Sequence, residues 1–371
     1  MYCKEITVRN FRNVDSARIS FCEGVNILAG ENAQGKTNLL EAIFYASVGR
    51  SFRGATAAQV IRFEQESADI NVAFCDRKRE QEIHVRIFKD KKRVFEKNGV
   101  RADKLSDIVG SFRAVLFCPE HLSLIKDGPS ERRAFLDMAI GQLYPSYIRS
   151  LQNFNNALKQ RNALIKNAYA DRATFDGTVD LWSEQIATES ANIAAMRLSY
   201  VKMAQKHISK FFCEMTQGEE IPVVTYHGDA GLCEEEYADK QKVKEAYIKL
   251  LSSSHEREIA QGATLFGIHK DDIDVKLNGK SARIYASQGQ QRSLALAMKL
   301  AEGEICKEEF GDHPVFLFDD VLSELDSTRR DYLINRMDQK QVIMTTCEPD
   351  ALKTMAAGVR IRVENGKYTE E

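Results

Sequence analysis

The stretch VNILAGENAQGKTNLLEAIFYA, residues 25–46, constrains the fold more than any other part of the chain. A short apolar run from Val25 to Gly30 feeds directly into G-x-x-x-x-G-K-T, and an apolar helical segment follows. That order, strand then glycine loop then helix, is the context a phosphate-binding P-loop requires; a bare glycine-rich turn is the alternative reading. Gly30 and Gly35 let backbone N–H groups of Glu31, Asn32, Ala33 and Gln34 wrap a phosphate. Lys36 supplies positive charge to the β and γ oxygens of a triphosphate, and Thr37 offers a hydroxyl to Mg²⁺.

A P-loop needs a carboxylate for its metal at the end of a second buried strand. HPVFLFDDVLSELD provides one: Val315–Phe318 is a continuous apolar run, as in a parallel strand covered on both faces, and it ends in Asp319 and Asp320. Asp319 is the expected Mg²⁺ partner, and Asp320 is placed to polarise a water in line with the γ-phosphate. The bland reading is that the two acids cap the following helix. The two motifs lie near opposite ends of the chain, so the nucleotide domain is predicted to be discontinuous: residues 1–120 and 251–371, around an insertion of residues 121–250.

That insertion reads as helical. Apolar residues recur at Ile148, Leu151, Phe154, Leu158 and Ile165, and again at Trp182, Ile186, Ile193, Tyr200, Ala204, Ile208 and Phe211. NAYADRATFDGT between them is expected to be a loop, giving either a helical hairpin arm or a compact helical subdomain. QGEEIPVVTYHGDAGLCEEEYADK is expected to be an irregular, solvated connection. Strands return in DIDVKLNGKSARIYAS, with Asn278-Gly279 as a hairpin turn.

Next comes YASQGQQRS, which has the marks of a second phosphate cradle: Ser287 as helix N-cap, Gly289 for close backbone approach, and Gln290 in the first turn. One P-loop already encloses a triphosphate. The second cradle makes sense if it caps the γ-phosphate held by another copy of the chain, with two ATP molecules between two-fold related subunits. SELD, Ser323–Asp326, is expected at the same seam. A metabolic P-loop kinase or transferase is the competing class; it has no need of a partner-facing cradle.

Charge and composition narrow the partners. The formal net charge is −2, so nucleic-acid binding has to come from a local patch. Residues 76–101 hold ten Lys or Arg against five acids. RIFKDKKRVFEKNG reads as a hairpin whose turn carries Lys89, Lys91, Lys92 and Arg93, placed either to rest on DNA phosphates or to protect an exposed edge. Arg50, Arg53, Arg132 and Arg133 are further candidates. No apolar run approaches the roughly 20 residues needed to span a bilayer, and no secretory leader is evident, so a cytoplasmic protein without membrane contact is expected. The eight Cys form no C-x-x-C pair and are read as buried or half-buried reduced thiols.

GENAQGKT, SQGQQ, VFLFDD and SELD, in that order around a helical insertion, resemble the ABC-type ATPase heads of the SMC group. ITVRNFRN, GRSFRG, FCPEHLSLIKDGPSERRAFLD and DDVLSELD bring the resemblance closer still to the RecF recombination mediators, over nearly the whole chain. The resemblance implies an α/β ABC-type head with a mixed sheet and an inserted α-helical arm domain. It also implies ATP-dependent dimers on DNA that work with RecO and RecR to load RecA at single-strand gaps, with links to replication and the SOS response. It places Arg12 and Asn13 near the adenine and ribose. The long coiled coils and C-x-x-C hook of larger relatives are missing; an ABC transporter subunit remains a weaker alternative. Asp320 stands where many such heads have Glu, Thr345 and Thr346 where a switch His is common, and Glu120 where a Q-loop Gln is expected. These departures predict weak, slow ATP hydrolysis used as a switch.

Overall fold

Alternating and continuous apolar patterns sort the strands into two kinds of sheet. A computed structural model describes residues 1–77, 79–218, 220–347 and 357–371. Lys78 of the basic segment, Glu219 of the acidic connection and Glu348 after the last buried apolar strand lie outside the described residues. The chain divides into two units: residues 1–123, 211–218 and 292–371, and residues 124–210 and 219–291.

The first unit opens with β1 (Tyr2–Phe11), β2 (Val14–Ser20), β3 (Val25–Ala29), α1 (Lys36–Val48) and α2 (Ala57–Val60). Strands β4 (Ser67–Cys75), β5 (Glu80–Phe88), β6 (Val94–Lys97), β7 (Val100–Ala102) and β8 (Ala114–Phe117) follow. The second unit carries α3 (Pro129–Leu143), α4 (Pro145–Asn167), most of α5 (Arg172–Thr216), β9 (Pro222–His227), α6 (Lys240–Ser252) and α7 (His255–Gln261). It continues with β10 (Asp272–Leu277), β11 (Lys280–Ser281), α8 (Ala282–Tyr285) and the first residues of α9 (Gln288–Phe310). The first unit resumes within α9 and ends with β12 (Val315–Asp319), α10 (Ser327–Arg336), β13 (Val342–Thr346), β14 (Ala357–Glu364) and β15 (Lys367–Glu370).

In the first unit one sheet has the order β2-β1-β4-β5-β6-β7 and is antiparallel throughout. In β4 Ala68, Ile70, Val72 and Phe74 are buried and alternate with half-exposed neighbours, as expected for a sheet with one covered face. The other sheet has the order β15-β14-β3-β13-β12-β8, and its central strands run parallel. All of Val315–Asp319 is buried, in line with the continuous apolar run. Helix α1 is buried on nearly every side because it packs against strands of both sheets.

In the second unit α4 and α5 form an antiparallel pair, with Asn153 bonded to Glu189 and Arg161 to Ser183. The segment expected as a loop is mostly helix: only residues 168–171 interrupt the helices. The Asp171 side chain accepts from the Thr174 N–H at 3.0 Å and starts α5, which at ~1.5 Å per residue is about 68 Å long. Ile165, Ala168, Phe175 and Val179 at the turn cluster with Ile259 of α7. The described residues of the acidic connection also form regular structure. Pro222, Val224 and Tyr226 are buried on one face of β9, which pairs with β10, so a strand hides within an acidic neighbourhood. Asn278 and Gly279, with φ of 51° and 76°, make the expected hairpin turn. Of the cysteines, Cys233 and Cys347 are exposed, contrary to the uniform expectation of burial.

Candidate functional site

The C-terminal ends of adjacent parallel strands bring the separated motifs together. β13 lies between β3 and β12, with Thr345 in register with Leu28 on one side and Asp319 on the other. A ligand site at this edge of an open α/β sheet follows from the topology.

The loop after β3 is tightly specified. Ala33 and Gly35 have φ of 64° and 116°, conformations that turn successive N–H groups toward one concavity. A Cβ on Gly30 would lie 2.3 Å from the carbonyl oxygen of Val363, and one on Gly35 2.9 Å from Asn13 Oδ1. The C-terminal hairpin holds the loop from outside. The Asn365 N–H donates to Gln34 Oε1 at 2.6 Å, the Gly366 N–H to Gln34 O at 2.8 Å, and the Tyr368 hydroxyl to Gly35 O at 3.0 Å. Sequence reasoning missed this brace: Asn365-Gly366 marks a hairpin turn but not where that turn lands.

Lys36 folds back over the loop and donates to Gly30 O at 2.6 Å and Glu31 O at 2.7 Å. Its ammonium also lies 3.4 Å from Cys347 Sγ, and that thiol bonds Asn32 Oδ1 at 2.9 Å. Thr37 Oγ1 donates to Asp319 Oδ1 at 2.7 Å, and Thr345 Oγ1 donates to the same oxygen at 3.0 Å. Burial pushes the Asp319 carboxyl above its ordinary pKa; the bonds from Thr37 and Thr345 and the charge of Arg53 oppose this, and the charge of Glu120 adds to it.

Asp320 adopts a left-handed conformation, φ 51°, directly after the strand, and its N–H donates to Thr345 Oγ1 at 2.9 Å. Asp tolerates this region better than most residues, and such outliers concentrate at functional sites. Thr345 thus organises both carboxylate positions.

Arg12 and Asn13 take different places. Arg12 grips the buried Glu41 of α1 through two bonds of 3.0 and 2.7 Å and donates to Gln59 O at 2.9 Å. Asn13 touches the loop directly, donating to Gln34 O at 3.2 Å and accepting from Asn38 at 2.8 Å.

Ser287 closes a capping box at the start of α9: its Oγ accepts from the Gln290 N–H at 3.2 Å, and Gln290 Oε1 accepts from the Ser287 N–H at 2.7 Å. Ser287 is exposed, and Gly289 is half-buried in the first turn. Beyond that turn, Arg292 donates to Glu324 O at 2.7 Å and Arg329 to the buried Ser293 hydroxyl at 2.7 Å, joining α9 to the SELD segment.

The basic hairpin β5–β6 forms as expected, with residues 89–93 in its turn. Lys91 and Lys92 are exposed; Lys89 lies 3.9 Å from Glu66, and Arg93 donates to Tyr45 Oη at 2.8 Å and to Gly49 O. Arg132 is buried against Asp272, and Arg133 donates to Asp271 O, so both are engaged within the second unit.

The oxygen donors Thr37 and Asp319 suit Mg²⁺, which is held by one or two protein oxygens plus substrate phosphates. No group of three or more His, Cys, Asp or Glu among the described residues could hold a metal ion by itself. No helix among the described residues is long and apolar enough to cross a membrane.

Comparison with known proteins agrees with this arrangement. The model of the RecF/RecN/SMC N-terminal domain family matches residues 2–370. Proteins named DNA replication and repair protein RecF from Thermoanaerobacter pseudethanolicus and Geobacillus kaustophilus are 35% and 36% identical, each match covering 100% of this chain and 100% and 99% of the relative. A solved structure described as the recombination mediator protein RecF–ATPrS superposes with TM-score 0.92 at 33% identity, covering 100% of this chain and 98% of the other. One described as RecF–ATP has TM-score 0.88 at 33% identity, covering 100% and 99%. An Smc head domain from Pyrococcus furiosus, at 16% identity and TM-score 0.54 over 100% of this chain and 96% of that one, shares the fold. With both nucleotide motifs assembled at one sheet edge and these matches spanning the whole chain, the chain belongs to the RecF family of DNA replication and repair proteins.

Proposed function

We propose that this chain is an ATP-dependent DNA-binding protein of replication and recombinational repair, switched by nucleotide between a closed dimer and separate subunits. The observation that carries the reading is the meeting of Thr37 and Asp319 beneath a loop that already holds Lys36 in place. In this reading residues 30–37 bind the triphosphate through backbone N–H groups, and Lys36 exchanges its contacts with Gly30 O and Glu31 O for phosphate oxygens. Thr37 and Asp319 hold Mg²⁺, which would neutralise charge on the β and γ oxygens. Asp320 accepts a hydrogen bond from the attacking water and orients it, and Asn13 borders the nucleoside side of the loop.

Ser287, Gly289 and Gln290 of a second copy close over the γ-phosphate, where the N-terminal dipole of α9 favours negative charge. Two such sites per head-to-tail pair make ATP part of the interface. The short Asp320 carboxylate, in place of Glu, keeps hydrolysis slow, so that turnover times release. DNA meets the basic turn at residues 89–93, and RecO and RecR are the partners expected from family membership.

The test is DNA affinity with ATP, ADP and no nucleotide, on gapped, single-stranded and duplex DNA. Coupling of ordinary size gives about 5- to 150-fold tighter binding with ATP than with ADP. Equal affinity in all nucleotide states overturns the reading.

A further inference from the structure

At the C-terminal end of α1 the first unit holds a cavity of about 510 Å³. Three segments line it, with Tyr45 of α1 and Phe95 of β6 beside them: residues 50 and 55–57 after α1, residues 91–93 in the β5–β6 turn, and residues 102–105 at and after β7. Its charged residues are Arg50, Lys91, Lys92, Arg93 and Lys104, with Asp103 as the one acid. A concave site with this imbalance concentrates positive potential far beyond what the net charge of −2 suggests.

The five cations do different work. Arg93 donates to Gly49 O and Tyr45 Oη and lies 5.9 Å from the Tyr45 ring centroid. It thereby neutralises the carbonyl end of α1, whose dipole would otherwise repel an anion. Arg50, Lys91, Lys92 and Lys104 are exposed, and no ion pair among the described residues holds any of them. Elsewhere in the basic segment Arg77 pairs with Asp312, Arg86 with Asp69, Lys89 lies beside Glu66 and Lys97 donates to Ser111, while Arg79 and Arg101 are exposed with no ion pair among the described residues. Two hairpin cations, Lys91 and Lys92, and two from other segments, Arg50 and Lys104, therefore gather at one cavity without an ion pair among the described residues.

We infer that this cavity receives the sugar–phosphate backbone of a DNA strand, with Arg50 and Lys104 contributing as much as the hairpin lysines. The inference rests on the proposed DNA binding and moves the contact from the hairpin tip to the cavity. A backbone fits better than a compact small anion, because small-ligand pockets hold their ligand by a few placed, buried donors and these four are all exposed. Base reading has no platform here: Arg93 covers Tyr45, and Phe95 is buried. The site therefore gives affinity without sequence choice.

The experiment titrates the full chain, with ATP, against a labelled single-stranded oligonucleotide at several salt concentrations. Arg50→Glu/Lys104→Glu is compared with Lys91→Glu/Lys92→Glu and with the charge-matched control Lys240→Glu/Lys249→Glu. The first two pairs are each expected to weaken binding at least tenfold and to lower the salt slope by about 1.4, at about 0.7 per single-strand phosphate contact. The control stays within twofold. Arg50→Gln/Lys104→Gln, with ATP affinity as a check on folding, is expected to give the same direction at smaller size. If the Lys91/Lys92 pair weakens DNA binding and neither Arg50/Lys104 pair does, the cavity is ruled out while DNA binding by the hairpin stands. If no variant changes affinity, the hairpin and the cavity both fail. Pyrophosphate at matched ionic strength is expected not to displace DNA; displacement at micromolar concentration would make this a small-anion site and overturn the inference.

Discussion

Thr37 Oγ1 donates to Asp319 Oδ1 at 2.7 Å across 282 residues of sequence, and the same carboxylate oxygen accepts from Thr345 at 3.0 Å. Three adjacent parallel strands thus position the pair proposed to hold Mg²⁺.

Breaking this pair is expected to act through the metal. Thr37→Val and Asp319→Asn should each weaken ATP binding at least tenfold when Mg²⁺ is present and change it little in chelator, because the phosphate-wrapping N–H groups of the loop remain. Titration of a fluorescent ATP analogue under both conditions checks this. Equal losses with and without Mg²⁺ would assign the pair a structural role only.

Much of this centre was legible in the sequence because its parts are local patterns. GENAQGKT specifies its own turn and Val315–Asp319 reads as a buried strand; in the second unit Asn278-Gly279 reads as a hairpin in the same way. What escaped were pairings across the chain. Nothing in the apolar pattern of α1 says that Glu41 is held by Arg12, or that residues 363–368 pack on Gly30, Gln34 and Gly35. β9 was hidden by acidic neighbours, and the start of α5 by a polar stretch that the Asp171 cap makes helical. Lys104 carries no motif; only the fold sets it beside Lys91 and Lys92.

The second unit depends on a fully buried ion pair. Arg161 of α4 bonds both oxygens of Glu258 in α7, at 2.9 and 2.7 Å, and also reaches Ser183 and Thr264. Glu258→Gln should cost about 3–5 kcal/mol by leaving a buried guanidinium unpaired. Arg161→Met/Glu258→Leu should cost less than the sum of the two single changes. Denaturant unfolding of all four proteins measures this, and strict additivity would contradict it.

Asp229 gives the second unit a pH dependence. Its Oδ2 is buried without a hydrogen-bond partner, and burial, then the charge of Asp271, raises its pKa to about 6. Lys270, His227 and a backbone bond with Gly267 act in the opposite direction. The folded state therefore keeps this proton up to about pH 6, while the unfolded chain loses it near the ordinary value of 3.8. Stability contributed by the protonated form is complete below the lower value and is lost as pH rises through the upper one. Melting temperatures between pH 4 and 7 should fall more in wild type than in Asp229→Asn. Parallel curves would show that Asp229 does not titrate in this window.

The proposed composite pocket, with Lys36 from one subunit and Ser287 from the other, is tested most directly by mixing two variants that are each expected to be inactive. Lys36→Ala has no working P-loop and Ser287→Arg no working lid, so each alone should fail to form an ATP-stabilised dimer. A heterodimer of the two keeps one intact pocket, and the mixture is predicted to recover dimers that trap ATP, measured by sedimentation and by retention of labelled nucleotide. A mixture that behaves as the sum of its two inactive parts would contradict the account.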